Sequence, residues 1–133
     1  MAMIFLFSEV TMTIYKRCYF IFIAGAFGYC LLEILWRGYT HPSMGIAGGL
    51  CLIGIYYISK LNYSRVFRAV LSTLLITLTE FIFGVILNIL LKLNIWDYSG
   101  MPFNFLGQIC LPFSLLWFVL SYTLIFIIDL KAA

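Results

Sequence analysis

Four long apolar stretches constrain this sequence more than any other feature. They cover residues 18–36, 43–58, 66–91 and 109–128, and a helix needs about 20 mostly apolar residues to cross a bilayer. The second stretch is the shortest, and it reaches spanning length only if it begins near His41 or tilts little. Strands are excluded because open sheet edges cannot be satisfied in hydrocarbon. We therefore predict an all-α integral membrane protein, a four-transmembrane-helix bundle forming a single domain over residues 1–133.

The composition indicates that lipid is the solvent for most of this chain. Hydrophobic residues make up 65% of the sequence and charged residues only 10%, whereas soluble domains are about 45–50% apolar and about 25% charged. The net charge of +3 is spread over short connections without a basic run. We therefore predict a lipid bilayer as the surroundings and no nucleic-acid partner.

The distribution of lysine and arginine predicts the orientation of the bundle. Six basic residues fall on one side of the predicted spans and two on the other. The larger group is Lys16, Arg17, Lys60, Arg65, Arg68 and Lys131, and the smaller is Arg37 and Lys92. Because basic residues concentrate in cytoplasmic loops, both termini and the middle connection are predicted to be cytoplasmic.

The first ten residues are apolar but short, and they carry Glu9. Basic residues follow this stretch instead of preceding it, which is not the order found in a secretory signal. We interpret it as an interfacial segment or as an extension ahead of an alternative start at Met12.

Metal and cofactor chemistry has little support in the sequence. The four cysteines lie in apolar stretches without the spacing of metal ligands, and His41 is the only histidine. We therefore predict neither a metal nor another cofactor. An enzyme is disfavoured, because no nucleophile–base pair or phosphate-binding glycine loop is present. The cysteines are Cys18, Cys30, Cys51 and Cys110.

Glu80 is the sharpest functional candidate, because it falls near the middle of the third predicted span. A carboxylate there costs about 2.5–3.5 kcal/mol on insertion scales, so it should face the bundle interior. The polar and small residues Thr73, Thr77, Glu80, Gly84 and Asn88 recur at steps of three or four, which places them on one helix face. That face could line a polar cavity or ion path, or it could serve as interhelical hydrogen-bonding contact.

Glu33 and Arg37 form a second candidate group near the end of the first span. Their i,i+4 spacing favours an ion pair on one helix face, so a local pair at the headgroup boundary is one interpretation. The other is that Glu33, Arg37 and Glu80 meet in one pocket. A weak internal similarity between the two halves of the chain supports the shared pocket. Each half would be a two-helix hairpin with a glutamate on its first helix, so the halves would form two parallel repeats.

The second span is rich in glycine and alanine, and Gly45 and Gly49 form a GxxxG pair. Such a pair allows close helix packing, either within the chain or across a dimer. Because four helices make a thin wall, we expect a homodimer with the second span as its contact.

The connection at residues 92–108 combines turn-forming residues with aromatic ones. Asp97, Asn104 and Gln108 are its polar site candidates, and Trp96 and Tyr98 favour the membrane interface. We predict an interfacial or re-entrant loop, which either covers the mouth of a cavity lined by glutamate or simply lies in the aromatic belt.

Two runs of the sequence resemble a known family. They are Gly28-Tyr-Cys-Leu-Leu-Glu-Ile-Leu-Trp-Arg-Gly-Tyr-Thr-His-Pro-Ser-Met44 and Trp96-Asp-Tyr-Ser-Gly-Met-Pro-Phe-Asn-Phe-Leu-Gly-Gln-Ile-Cys-Leu111. The chain resembles the small bacterial membrane proteins of the ABC-transporter type IV, or CmpB-like permease, family. The resemblance implies a multi-pass protein of the bacterial cytoplasmic (inner) membrane and favours transport. The motif positions it carries over are Glu33, Arg37, Trp96, Asp97, Tyr98, Pro102, Asn104 and Gln108.

Two functions from different classes remain open at this point. The first is a small transporter or channel with an intramembrane carboxylate site for a proton or small cation, formed by Glu33 and Glu80 and shaped by Arg37, Asn88 and Asp97. The second is a non-transporting membrane subunit or immunity-type partner protein, in which the polar stripe only holds helices together. A lipid-modifying enzyme is a weaker third possibility, with no assignable reaction.

Overall fold

Four long helices make up the computed structural model, which describes residues 1–133. Helix α1 spans Ala2–Arg37, α2 Pro42–Ser59, α3 Arg65–Gly84 and α4 Leu111–Ala132, and a π-helix over Val85–Leu90 continues α3 directly. Each of the four is long and apolar enough to cross a membrane, which confirms the predicted fold class. The chain divides into two compact units, Met1–Ile53 and Gly54–Ala133, and the boundary falls within α2.

Helix α1 begins at Ala2, well before the predicted start near residue 18. No proline or glycine precedes Gly25, and the Thr11 and Thr13 hydroxyls donate to carbonyl oxygens one turn back, so nothing interrupts the helix. Its 36 residues rise about 54 Å at roughly 1.5 Å per residue, which exceeds a hydrocarbon core of about 30 Å. The helix ends at Arg37, and the φ of 80° at the following Gly38 is a conformation that glycine adopts at little cost.

Three glycines of α2, Gly45, Gly48 and Gly49, pack against α1 within the first unit. A Cβ atom added at Gly48 would lie 2.5 Å from the Cβ of Tyr29, and one added at Gly49 would lie 2.5 Å from the Phe22 ring. The Gly45–Gly49 pair is therefore used inside the chain, where it lets two backbones approach closely. Helix α1 covers this face of α2, and the homodimer contact through the second span stays a prediction.

Helices α3 and α4 pack antiparallel in the second unit. Along α3 and its π-helical end, every fourth side chain is buried, and α4 contributes Ser121 and Ile125. Of the predicted polar stripe, Glu80, Gly84 and Asn88 are buried, whereas Thr73 and Thr77 are half-buried at the edge. An α-helix has 3.6 residues per turn, so residues spaced four apart rotate gradually around the helix. A π-helix has a wider turn, and this brings Asn88 back onto the buried face.

The connection from α3 to α4 is a folded segment without helix, residues 91–110, here called the cap. The Tyr98 backbone N–H donates to the Gly107 carbonyl at 2.7 Å, and the Phe105 N–H donates to the Ile109 carbonyl at 2.9 Å. Four non-glycine residues of the cap adopt left-handed backbone conformations, which cost roughly 1–2 kcal/mol each. They are Lys92, Asn94, Phe103 and Leu106. Such a backbone persists because other contacts fix the segment.

Candidate functional site

The Glu80 carboxylate connects the buried face of α3 to the cap and to α4. Its Oε1 accepts a hydrogen bond from the Tyr98 hydroxyl at 2.8 Å, and its Oε2 accepts one from the Trp117 indole Nε1 at 3.1 Å. The residue is only 8% exposed. The predicted intramembrane carboxylate therefore lies in the interior of the second unit, with a donor on each oxygen.

The two donors of Glu80 respond differently when the carboxylate takes up a proton. An indole N–H can only donate, so Oε2 has to stay an acceptor as long as Trp117 keeps its place. A phenolic hydroxyl can either donate or accept, so the Tyr98 bond can reverse when Oε1 carries the proton. The site can thus accommodate both the ionised and the protonated form of Glu80. The direction of the Tyr98 hydrogen bond, which joins Glu80 to the cap, differs between the two forms.

Aromatic rings surround this carboxylate. Tyr98 stacks on Phe113 with ring centroids 4.7 Å apart and an interplanar angle of 13°, and Phe113 lies 6.3 Å from Trp117 in a tilted arrangement. Rings exclude water and lower the local dielectric, which strengthens the hydrogen bonds to Glu80 and raises the cost of losing either one.

A second group of buried polar contacts, here called the amide latch, fixes the cap to the end of α3. Asn88 Nδ2 donates to Gln108 Oε1 at 2.8 Å, and the Ile95 backbone N–H donates to Asn88 Oδ1 at 2.7 Å. The Trp96 indole donates to the Gln108 carbonyl at 3.0 Å, and Gln108 Nε2 donates to the Leu106 carbonyl at 3.0 Å. The latch therefore joins two of the predicted site residues, Asn88 and Gln108.

Gly84 allows the latch to form, because it lies between Glu80 and Asn88 on the same face. A Cβ atom at this position would come within 2.6 Å of Gln108 Oε1 and 2.9 Å of Gln108 Cβ. Any larger side chain would therefore push Gln108 away from α3.

Asp97 and Asn104 shape the cap from its exposed side. Asp97 Oδ1 accepts the Ser99 backbone N–H at 2.8 Å, and hydrogen bonds from the Ser99 side chain and backbone hold the pKa of this carboxyl below its usual range. Asn104 Nδ2 donates to the Ser99 and Met101 carbonyls, and its Oδ1 accepts the Gly107 N–H at 3.1 Å. In this structure both side chains make turn contacts within the cap.

Glu33 and Arg37 lie in the first unit and form the local ion pair that their spacing predicts. Arg37 Nη2 is 2.7 Å from Glu33 Oε1, and the Thr40 hydroxyl donates to Glu33 Oε2 at 2.7 Å. The guanidinium also lies 4.7 Å from the centre of the Tyr39 ring. The further idea that this pair shares a pocket with Glu80 stays a prediction.

An ion cluster at the opposite end of α3 and α4 was missed by the sequence analysis. Arg68 Nη1 and Nη2 donate to the two Asp129 oxygens at 3.0 and 2.9 Å, and Arg65 Nε donates to Asp129 Oδ2 at 3.1 Å. Arg68 also donates to the Ser59 carbonyl. The available signal was that Asp129 is the one acidic residue at the end of the last predicted span. A carboxylate at that position favours pairing with the basic residues at the start of α3.

Several hydroxyls lie between the ion cluster and Glu80. Thr77 Oγ1 and Ser114 Oγ are 3.3 Å apart across α3 and α4. Ser72 and Ser121 have no exposed surface, and their hydroxyl oxygens have no hydrogen-bond partner within the protein. Trp117 and Ser121 fall one helical turn apart on α4, as their sequence spacing indicates.

No group of three or more histidine, cysteine, aspartate or glutamate side chains is arranged to hold a metal ion. The Glu80 carboxylate accepts hydrogen bonds from the cap and from α4.

Comparison with protein families matches residues 20–132 to the family described as "Putative ABC-transporter type IV". The chain belongs to this family. As a family member it is a multi-pass membrane protein with four candidate spans. The matched range includes the Glu80 site, the amide latch and the Glu33–Arg37 pair. No curated protein and no solved structure was found to match.

Proposed function

We propose that this protein is a small membrane transporter or channel in which Glu80 binds a proton or a small cation. The observation that carries the proposal is a buried carboxylate within a candidate membrane span, held by Tyr98 of the cap and Trp117 of α4. An ionisable residue inside a membrane is costly and commonly marks an ion or proton pathway. Two neutral donors lower that cost without neutralising the charge, so the site can still exchange an ion.

The cap couples the occupancy of Glu80 to access from its side of the membrane. Tyr98 belongs to the cap and bonds directly to Glu80 Oε1, so an ion that takes this oxygen has to displace or reverse the Tyr98 bond. The amide latch of Asn88 and Gln108 keeps the cap docked meanwhile, and Asp97 and Asn104 maintain its fold. We propose that Glu33 with Arg37, an ion pair within α1, takes part in transport as a second polar group.

The setting we propose is the bacterial inner membrane, with both termini in the cytoplasm and a homodimer as the working unit. Six basic residues against two support that orientation. The α2–α3 connection consists of residues 60–64, which leaves little room for a helix that docks an ATPase. We therefore propose transport driven by the ion gradient itself.

Two substitutions at Glu80 test the proposal, because they separate loss of charge from loss of structure. Glu80→Gln keeps one acceptor for Trp117 and supplies an amide that can donate to the Tyr98 oxygen, so the fold should lose less than about 1 kcal/mol. Glu80→Leu removes the acceptor of both donors and should cost about 2–4 kcal/mol. The measurement is pH-driven ion flux in reconstituted liposomes, alongside thermal unfolding in detergent.

The expected result is loss of flux in Glu80→Gln with little change in the unfolding temperature. Native flux in Glu80→Gln would refute the ion site. Flux should persist in Thr123→Val, a control on the exposed face of α4 whose hydroxyl only donates to the Val119 carbonyl of its own helix.

A non-transporting membrane subunit is the second candidate. It is favoured by the fact that Glu80 bonds to both the cap and α4, as an interhelical polar contact would. In that case liposomes would show no flux of protons or of metal or organic cations, and Glu80→Gln would alter assembly with a membrane partner. Copurification of one partner at fixed stoichiometry under mild extraction would support this candidate.

A further inference from the structure

The ion cluster at the end of α3 and α4 holds more positive than negative charge. Arg68 donates to both Asp129 oxygens, at 3.0 and 2.9 Å, and Arg65 Nε adds a third hydrogen bond to Oδ2 at 3.1 Å. One guanidinium already forms a complete two-bond pair with a carboxylate. The other acidic side chains of this unit, Glu80 and Asp97, bind residues of the cap. Arg65 therefore shares its one acidic partner with Arg68.

Two exposed lysines add to the positive charge at this end of the second unit. Lys60 directly follows Ser59, whose carbonyl accepts a hydrogen bond from Arg68, and Lys131 belongs to the last turn of α4. This end therefore has four basic side chains and the one carboxylate of the ion cluster. In the orientation that the basic residues predict, it faces the cytoplasm, so the excess charge lies at the headgroup level of that leaflet.

Arg65 lies over two aromatic rings on the outer surface of α4. Its guanidinium is 4.9 Å from the centre of the Phe126 ring and 5.8 Å from the centre of the Tyr122 ring. Both rings are partly exposed, Phe126 at 41% and Tyr122 at 36%, and both belong to a candidate membrane span. The Arg65 side chain is 35% exposed, and Asp129 takes one of its five N–H donors. A ligand at this surface would therefore meet a cation directly beside apolar rings.

We propose that this surface, made of Lys60, Arg65, Tyr122 and Phe126 and here called the lipid site, binds one anionic phospholipid. The Arg65 guanidinium donates to the phosphate oxygens, a geometry that arginine suits better than lysine does. Lys60 adds attraction for the negative headgroup, and an acyl chain lies along the rings of Tyr122 and Phe126. The lipid site is separate from Glu80, and the inference does not depend on the proposed function.

The position and the composition of the lipid site favour a phospholipid over phosphate dissolved in water. Arg65 is the first residue of its candidate span, which places its guanidinium at the boundary between headgroups and hydrocarbon. Basic side chains at this boundary attract anionic lipids of the cytoplasmic leaflet. A phospholipid satisfies the cation and covers the exposed Tyr122 and Phe126 rings at once, whereas a phosphate ion contacts the cation alone.

The test measures lipid binding in variants that each remove one positive charge. Arg65→Gln removes the cation of the lipid site and leaves the Arg68–Asp129 pair, and Lys60→Gln changes an exposed position whose loss should not affect folding. Lys92→Gln is the matched control, because Lys92 lies in the cap at the other end of α3.

Native mass spectrometry from mixed micelles of phosphatidylglycerol and phosphatidylcholine gives the affinity for each lipid. Thermal unfolding in phosphatidylcholine alone checks the fold of each variant. We expect the native chain and Lys92→Gln to retain one phosphatidylglycerol in preference to phosphatidylcholine. The affinity for phosphatidylglycerol should fall roughly tenfold or more in Arg65→Gln and about fivefold in Lys60→Gln.

Three results would overturn the lipid site. The first is native affinity for phosphatidylglycerol in Arg65→Gln and Lys60→Gln. The second is an equal loss of affinity in Lys92→Gln, which would mean that only the net charge of the chain matters. The third is displacement of phosphatidylglycerol by an equal concentration of inorganic phosphate, which would make the free ion the ligand. Glu80→Gln should bind phosphatidylglycerol as the native chain does, so the lipid site and the proposed function are tested separately.

Discussion

The amide latch provides the most direct test of how the cap is held. Asn88 is 8% exposed and Gln108 is 5% exposed, so their hydrogen bond lies out of contact with water. Asn88→Leu keeps a similar volume but removes the donor to Gln108 Oε1 and the acceptor of the Ile95 N–H. Each group deprived of its partner costs roughly 1–3 kcal/mol, so the variant should be destabilised by about 2–5 kcal/mol.

Two measurements give the size and the position of the destabilisation in Asn88→Leu. Thermal or denaturant unfolding in detergent micelles gives the total destabilisation, and hydrogen exchange followed by NMR gives the protection of the Ile95 amide. A local loss of about 2 kcal/mol should speed exchange at Ile95 by roughly 30-fold. Because the Trp96 indole donates to the Gln108 carbonyl, the fluorescence of Trp96 should also report the displaced cap.

The matched control is Thr79→Val, which lies on the same helix and whose hydroxyl donates only to the Leu75 carbonyl within α3. This control should leave both the Ile95 amide and the Trp96 signal unchanged. If the Ile95 amide of Asn88→Leu stayed as protected as in the native chain, Asn88 would not hold the cap, and the reasoning from its two hydrogen bonds would be refuted.

Three further predictions follow from the structure. Gly48→Ala should destabilise the first unit by about 1–3 kcal/mol through overpacking, whereas Gly28→Ala, where an added Cβ meets nothing within 4 Å, should not; thermal unfolding compares them. Asp129→Asn should cost about 2 kcal/mol or more in the same assay, because Arg68 keeps a buried charge. The lowered pKa of Asp97 means that its turn is stabilised at neutral pH and loses that support as the pH falls below about 4; the Ser99 amide NMR shift should show this, and Asp97→Asn should abolish it.

The helices were predictable because lipid imposes a strong requirement on the sequence. A span has to be apolar over about 20 residues, so α2, α4 and α3 with its π-helical continuation begin and end within four residues of the predicted positions. The start of α1 was not predictable in the same way. The apolar segment ahead of Lys16 is helical from Ala2, yet its composition suits an interfacial segment equally well.

The candidate site was predictable in part. Glu80, Asn88 and Gln108 were identified because polar side chains stand out in apolar surroundings, and all three are buried and hydrogen-bonded. The pairing of Glu80 with Tyr98 and Trp117 was not predicted, because residues 18 and 37 positions away come together only through the fold of the cap and the packing of α4. Arg68 was interpreted only as a signal for orientation, and Asp129 was overlooked.

The sequence alone therefore determined that the chain crosses a membrane, roughly where its spans lie, and which intramembrane carboxylate is exceptional. These properties are local, because the free energy of transferring a helix from water to the membrane is approximately the sum over its residues. Tertiary structure alone decided which donors Glu80 meets, that three glycines of α2 are used against α1, and that Ser72 and Ser121 are buried without partners. Those properties depend on the register and rotation of one helix against another, which apolar sequences specify only through the packing of the folded chain.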